Sequence, residues 1–144
     1  FFVVIAVKNK TGGETFDDFK GLGWEMPLIS IIMTLFMVSL TGLPPTAGFI
    51  GKFYIFASLI KGGESFYWLV IIGGINSVIS LYYYIRVVKV MYFDGDKNET
   101  LLNPPVMIMV MLLITAVPTL IFGIYWAPLA GWIQNSLVFY LQTI

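Results

Sequence analysis

The sequence predicts an all-α integral membrane protein with about three transmembrane helices and the tail of a fourth. Of its 144 residues, 58% are hydrophobic, 17% aromatic and 11% charged, and the mean hydropathy is +0.88. Soluble domains carry about 25% charged residues, so this composition excludes an ordinary soluble domain. The formal net charge of zero excludes a basic surface for nucleic acid. Cysteine and histidine are absent, which excludes disulfides and the common zinc and haem sites from this chain.

The chain opens with an apolar stretch over residues 1–7, followed by a polar connection over residues 8–25. The opening stretch is too short for a hydrocarbon core of ~30 Å, so we expect it to be the tail of a helix. We interpret residues 1–144 as one membrane domain, a C-terminal fragment of a larger polytopic subunit. Within the connection, Phe16 and Phe19 suit a short surface helix facing the membrane or a partner, although such short periodicity favours an ordinary loop.

Residues 27–60 form an apolar stretch that is interrupted in the middle by Gly42, Pro44, Pro45 and Gly48. Proline removes a backbone donor and crowds the preceding turn, and glycine lowers helix propensity. The stretch is therefore either two spans joined at the prolines or one span with a broken helix. Each half has about 15 helical residues, or roughly 22 Å, which is short of the ~30 Å core. Length favours one broken span.

The positions of the basic residues support the same choice through the positive-inside tendency. With one broken span, six basic residues share a side and Lys61 alone lies on the other, whereas two spans give four against three. The six are Lys8, Lys10, Lys20, Arg86, Lys89 and Lys97. We expect that side to be cytoplasmic. We also predict two further spans, over residues 66–93 and 104–126, the second of them kinked near Pro118.

Lys52, just after the break, is the strongest candidate for a functional residue. Insertion scales disfavour a lysine at a helix centre by ~2.5–3.5 kcal/mol, and an ionisable group beside a broken helix is typical of a transport site. Lys61 lies roughly 13 Å further along the helix, which argues against simple snorkelling of Lys52. We predict that Lys52 takes part in proton translocation. The alternative is a permanently paired lysine with a structural role.

The break itself raises a question about hydrogen bonding. It frees backbone carbonyls around Leu40–Leu43, and these are tolerated at membrane depth only where protein or water satisfies them. Ser39, Thr41 and Tyr54 lie close enough in sequence to join a polar path through the break. Each of these side chains is equally consistent with a hydrogen bond to its own helix backbone or with helix packing. For the break itself, the alternative interpretation is a proline kink that serves packing only.

The next predicted span also carries polar side chains. Asn76, Ser77 and Ser80 lie in its middle, where interhelical packing is the favoured role and Asn76 is the best candidate for a place in the polar path. No aspartate or glutamate lies within a predicted span, so acidic partners of Lys52 would have to come from elsewhere. No P-loop, dinucleotide fingerprint or metal-binding cluster is present in the sequence.

At these residues the chain resembles the N-type antiporter-like membrane subunits of respiratory complex I, the NADH:quinone oxidoreductase. This family is related to Mrp-type antiporter subunits. The resemblance is carried by SLTGLPPTAGFIGKFY over residues 39–54, NSVISLYYYIRV over residues 76–87 and MYF over residues 91–93. It covers residues 27–130 well and both ends weakly.

The resemblance implies a proton-translocating subunit built from two inverted repeats, each with a broken helix. Lys52 would then be the terminal lysine of a half-channel. It implies an enzyme complex in which this chain does no redox chemistry and holds no cofactor, while NADH, FMN, iron–sulfur clusters and quinone bind to other subunits. The implied partners are M-type and K-type subunits and the lipid bilayer, in a bacterial inner membrane or an organelle's energy-transducing membrane.

Two other functions remain open at this point. One is a cation/proton antiporter subunit outside complex I, in which Lys52 serves cation exchange. The other is a membrane scaffold whose broken helix packs against neighbouring subunits and conducts nothing.

Overall fold

The computed structural model of the chain describes residues 2–13, 15–95, 105–128 and 130–132, and within these ranges it is helical without any β-strand. The predicted all-α fold class is confirmed. The helices are α1 (Phe2–Thr11), α2 (Leu22–Glu25), α3 (Pro27–Thr41), α4 (Ala47–Lys61), α5 (Tyr67–Phe93) and α6 (Val106–Ile124), with 3-10 turns at Phe16–Phe19 and Glu64–Phe66.

The buried core lies at one end of the bundle. It gathers apolar side chains from α1, the segment before α3, the first half of α3, the last turns of α5 and the first half of α6. Its fully buried members include Val7, Leu22, Ile29, Met91 and Leu112. By contrast, α4 has no buried residue among those described. The core therefore lies at the end of the bundle that is farther from α4.

The connection before α3 packs against the last turns of α5. The indole Nε1 of Trp24 donates a hydrogen bond to the carbonyl of Tyr92 at 3.3 Å, and the guanidinium of Arg86 lies 5.7 Å from the centre of the Phe16 ring. These contacts bring the basic groups of the connection and of α5 to the same end of the bundle, as one broken span requires.

For this connection, the less favoured possibility of a surface helix with both phenylalanines facing outward was wrong for Phe19. Phe19 does not face the membrane or a partner, because its side chain is 7% exposed and belongs to the core. The short 3-10 turn Phe16–Phe19 points Phe19 inward and leaves Phe16 exposed. Apolar burial beneath a connecting segment offsets the cost of ordering it.

Two helices of the described chain are long and apolar enough to cross a membrane, Glu64–Phe93 and Val106–Ile124. A third span results if Phe16–Glu25 and α3, bent by 120° at their junction, are counted together. With 15 residues each, α3 and α4 are individually too short. Their pairing into one broken span stays a prediction. Lys97 and the predicted start of the last span at residue 104 lie outside the described residues.

Candidate functional site

The helical path is interrupted between α3 and α4 by a five-residue link, residues 42–46. Gly42 ends α3 in the left-handed conformation with φ +84°, and its N–H donates to the carbonyls of Val38 and Ser39 at 3.1 and 3.0 Å. Glycine is the usual residue for this type of helix end, because it has no Cβ to clash there. The Pro44–Pro45 peptide bond within the link is cis.

The end of the link is closed by Thr46. Its side chain is 1% exposed, and its hydroxyl donates to the carbonyl of Leu43 at 2.7 Å. One of the carbonyls freed by the break is thereby satisfied within the link. Helix α4 starts at the next residue, Ala47.

The first turn of α4 packs closely against the last turn of α3. The N–H of Gly48 donates to the hydroxyl of Ser39 at 3.3 Å. A Cβ placed on Gly48 would overlap the carbonyl oxygen of Ser39. Only glycine allows two backbones to approach so closely, so Gly48 fixes the starting position of α4.

Lys52 lies one turn further along α4, and its side chain reaches back to the break. Its Nζ donates to the carbonyl oxygen of Thr41 at 2.7 Å and to the hydroxyl of Ser77 at 3.2 Å. The side-chain stem crosses Gly42, where a Cβ would lie 2.6 Å from Lys52 Cδ. We call Thr41, Gly42, Lys52 and Ser77 the lysine seat.

The carbonyl in this seat has a particular electrostatic character. Thr41 is the last residue of α3, so its carbonyl is one of the terminal four that lack an intrahelical partner. The carbonyl end of a helix carries partial negative charge and stabilises a nearby cation. Lys52 therefore supplies the donor that the end of α3 lacks.

The seat lies near the middle of the longest helix. Ser77 is about 15 Å along α5 from Tyr67, and Arg86 is about 13 Å further on, at a rise of 1.5 Å per residue. The amine of Lys52 thus contacts α5 at mid-length. It does not extend towards either end of that helix, as a snorkelling lysine would. No carboxylate in the described part of the chain pairs with Lys52.

The other residues predicted for the polar path have different positions. Ser39 contacts Gly48 as described, and the hydroxyl of Thr41 back-bonds to Met37 at 2.8 Å, so Thr41 faces Lys52 through its carbonyl. The ring of Tyr54 packs edge-to-face on Trp126 with centroids 5.4 Å apart. Asn76 is exposed. Of these four residues, the structure thus brings Thr41 into the seat, places Ser39 beside it at the contact between α3 and α4, and leaves Tyr54 and Asn76 outside.

Ser77 is the seat residue that sequence reasoning assigned to helix packing instead. The spacing of residues along each helix is compatible with this contact but does not single it out, because the register between the two helices is seen only in the structure. Lys52 and Phe56 are four residues apart on α4, and Gly73 and Ser77 are four residues apart on α5, so each pair lies on one helix face. A Cβ on Gly73 would lie 2.8 Å from Cε1 of Phe56. The small Gly73 thus admits Phe56 and brings Ser77 opposite Lys52.

No group of three or more histidine, cysteine or acidic residues that could hold a metal occurs among the residues with described positions. The chemistry that this site offers is therefore that of an amine with two oxygen acceptors. An amine of this kind can exchange a proton with any water or side chain that reaches it.

Comparison with known proteins gives the family. Residues 1–80 match the transmembrane family described as NADH:quinone oxidoreductase/Mrp antiporter. The chain is 45% identical over 139 residues to NADH-quinone oxidoreductase subunit N 2 of Sorangium cellulosum, covering 94% of the chain and 27% of the relative. It is 42% identical over 138 residues to the protein of the same name from Chloroherpeton thalassium, again covering 94% and 27%. Subunit N of Chlorobium chlorochromatii is 42% identical over 140 residues, with the same coverage.

The chain spans about a quarter of the length of these relatives. The family match extends over more than half of the chain, from α1 through the break and the lysine seat into α5. The apolar helices agree with the transmembrane character of the family. This chain belongs to the NADH:quinone oxidoreductase/Mrp antiporter transmembrane family.

Proposed function

We propose that this chain is part of a proton-translocating subunit of NADH:quinone oxidoreductase, in which Lys52 takes up and releases protons beside a broken helix. The observation that carries this proposal is the position of the Lys52 amine. It contacts the free carbonyl end of α3 and the middle of α5, where no described carboxylate neutralises it. An ionisable group beside a broken helix is typical of a transport site.

In this proposal the chain carries no electrons. Electron transfer from NADH through FMN and iron–sulfur clusters to quinone takes place in other subunits and drives changes around Lys52. The N-type names of the relatives favour this role over that of a free-standing cation antiporter. We propose M-type and K-type subunits as membrane neighbours, and the bacterial plasma membrane as the location.

The test is proton pumping and NADH oxidation in membrane vesicles that contain the whole complex, with Lys52→Ala and Lys52→Arg. We expect both variants to lower pumping several-fold at unchanged assembly. Alanine removes the amine, and arginine keeps its proton at any working pH. The matched control is Lys61→Ala, at the exposed end of the same helix, which we expect to pump normally.

Other outcomes would assign a different role. Pumping retained in Lys52→Arg but lost in Lys52→Ala would indicate a fixed charge. Normal pumping in both variants would refute the proton-relay role and favour the scaffold. Purification of the chain in an assembly without the NADH-oxidising subunits would favour a cation/proton antiporter, for which the Mrp relationship within the family gives the reason.

A further inference from the structure

We propose that Ser77 is a positioning residue for Lys52, which draws the amine across from α4 to the middle of α5 and fixes the direction of its N–H bonds. This inference rests on the proposed proton-translocating role of Lys52. It gives α5 a defined part in that site beside α3 and α4, through Ser77 and not through Asn76, the polar-path candidate on the same helix.

The first step of the argument is the register of α4 against α5. Lys52 contacts Ser77, and one turn later Phe56 lies against Gly73. Rising numbers on α4 meet falling numbers on α5, so the two helices are antiparallel at this contact. Two contacts at matching four-residue spacing hold the amine opposite the Ser77 hydroxyl.

The second step concerns the direction of the Ser77 hydroxyl. Its single hydrogen is used in a hydrogen bond to the carbonyl of Gly73 at 3.0 Å. A serine hydroxyl has one hydrogen to donate and two lone pairs to accept, so towards Lys52 it acts as an acceptor. The carbonyl of Thr41 is also an acceptor. Both neighbours therefore receive hydrogens from Lys52 Nζ.

A consequence follows for the exchange of protons. Because two N–H bonds of the amine point at Thr41 and Ser77, the remaining position on the nitrogen faces away from both. A proton enters or leaves through that position. Removal of Ser77 leaves the amine with Thr41 alone, and the flexible lysine stem then samples other directions, since four rotatable bonds are no longer restrained from α5.

The same helix offers a matched control. The hydroxyl of Ser80 donates to the carbonyl of Asn76 at 2.8 Å, which repeats the back-bond of Ser77 to Gly73. Ser80 makes no hydrogen bond to Lys52. Variants of Ser77 and Ser80 therefore remove the same intrahelical bond and differ in whether the amine loses an acceptor.

The experiment measures the rate of proton pumping, together with the rate of NADH oxidation, in vesicles with the whole complex. We expect Ser77→Ala to lower the pumping rate by about three- to tenfold, the size expected for the net loss of one ordinary hydrogen bond. Ser80→Ala should pump normally, and Ser77→Thr, which retains a hydroxyl, should recover most of the rate. Ser77→Cys keeps the size but offers a weak acceptor, so it should show a loss even if Ser77→Ala assembles poorly.

A double-mutant cycle separates positioning from a general packing effect. In a Lys52→Ala background, Ser77→Ala should cause no additional loss, because the two changes remove the same interaction. Additive losses, or equal effects of Ser77→Ala and Ser80→Ala, would overturn the inference. Reduced pumping in Lys52→Ala with normal pumping in both Ser77→Ala and Ser77→Cys would refute the positioning role alone. Normal pumping in Lys52→Ala and Lys52→Arg would refute the proposed function itself.

Discussion

Gly48 and Gly51 allow a direct test of how tightly α4 is held against the end of α3. Both glycines lie in the first turns of α4. A Cβ on Gly48 would overlap the backbone carbonyl of Ser39, whereas no described atom lies within 4 Å of a Cβ on Gly51. The same substitution, glycine to alanine, is therefore predicted to have opposite effects at positions three residues apart.

The magnitude follows from two opposing contributions. Alanine is favoured over glycine in a helix by up to about 1 kcal/mol, and this gain applies at both positions. At Gly48 the obstacle is backbone rather than a flexible side chain, so the overpacking cost falls at or above the top of the usual range of about 1–3 kcal/mol. We expect Gly48→Ala to destabilise by about 2 kcal/mol or more, and Gly51→Ala to be neutral or slightly stabilising.

The assay is the thermal inactivation midpoint of the purified complex, together with the fraction of the subunit that assembles. Gly48→Ala should lower both quantities, and Gly51→Ala should leave both at the level of the unchanged protein. Equal stability of the two variants would mean that α3 and α4 do not approach through Gly48. The position of Lys52 over the break would then also need revision.

Three further predictions concern other parts of the chain. Gly42→Ala should lower pumping at near-normal assembly, since alanine costs about 1–2 kcal/mol in the left-handed conformation and its Cβ would displace the stem of Lys52; normal pumping would contradict this. Gly123→Ala should destabilise the fold by about 1–3 kcal/mol through overpacking and so lower the thermal midpoint, because its Cβ would overlap the backbone of the link; an unchanged midpoint would show that α6 does not pack there. The exposed pair of Lys20 and Asp17, at 2.6 Å, raises the pKa of Lys20 through a hydrogen bond and charge attraction. Because the folded-state pKa is raised, the pair stabilises at neutral pH and its contribution disappears as the pH rises past 10.5 through the raised value. The difference in thermal midpoint between the unchanged protein and Asp17→Asn should therefore vanish at strongly alkaline pH.

The sequence allowed the helices to be predicted more readily than the contacts between them. Apolar length and the Gly42–Pro45 cluster indicate where α3 must stop, because proline and glycine act locally on the backbone. Lys52 stands out for a similarly local reason, as a charge in an apolar segment. Its partners depend on the register between α4 and α5, which a single helix does not encode. For this reason Asn76 was preferred to its neighbour Ser77, although the two side chains point about 100° apart around α5.

Burial of the connecting segment illustrates the same limit. Phe19 lies in a short polar stretch with too little periodicity to define an inner face. Phe19 is buried because α1 and α5 both pack against the turn that holds it. Such contacts arise only when elements distant in sequence come together. The less favoured possibility, a surface helix with Phe19 facing outward, was wrong because it considered the stretch alone.

The contact between the Lys52 amine and the Thr41 carbonyl links two events that are usually considered separately. If the side chain swings away, the end of α3 is left with a bare carbonyl in the middle of the bundle, and an unsatisfied carbonyl in hydrocarbon costs several kcal/mol. Whatever draws the lysine away must therefore bring a replacement donor, and water is the smallest available. Departure of the amine is then coupled in free energy to hydration of the end of α3, and absence of water at the seat keeps the lysine in place.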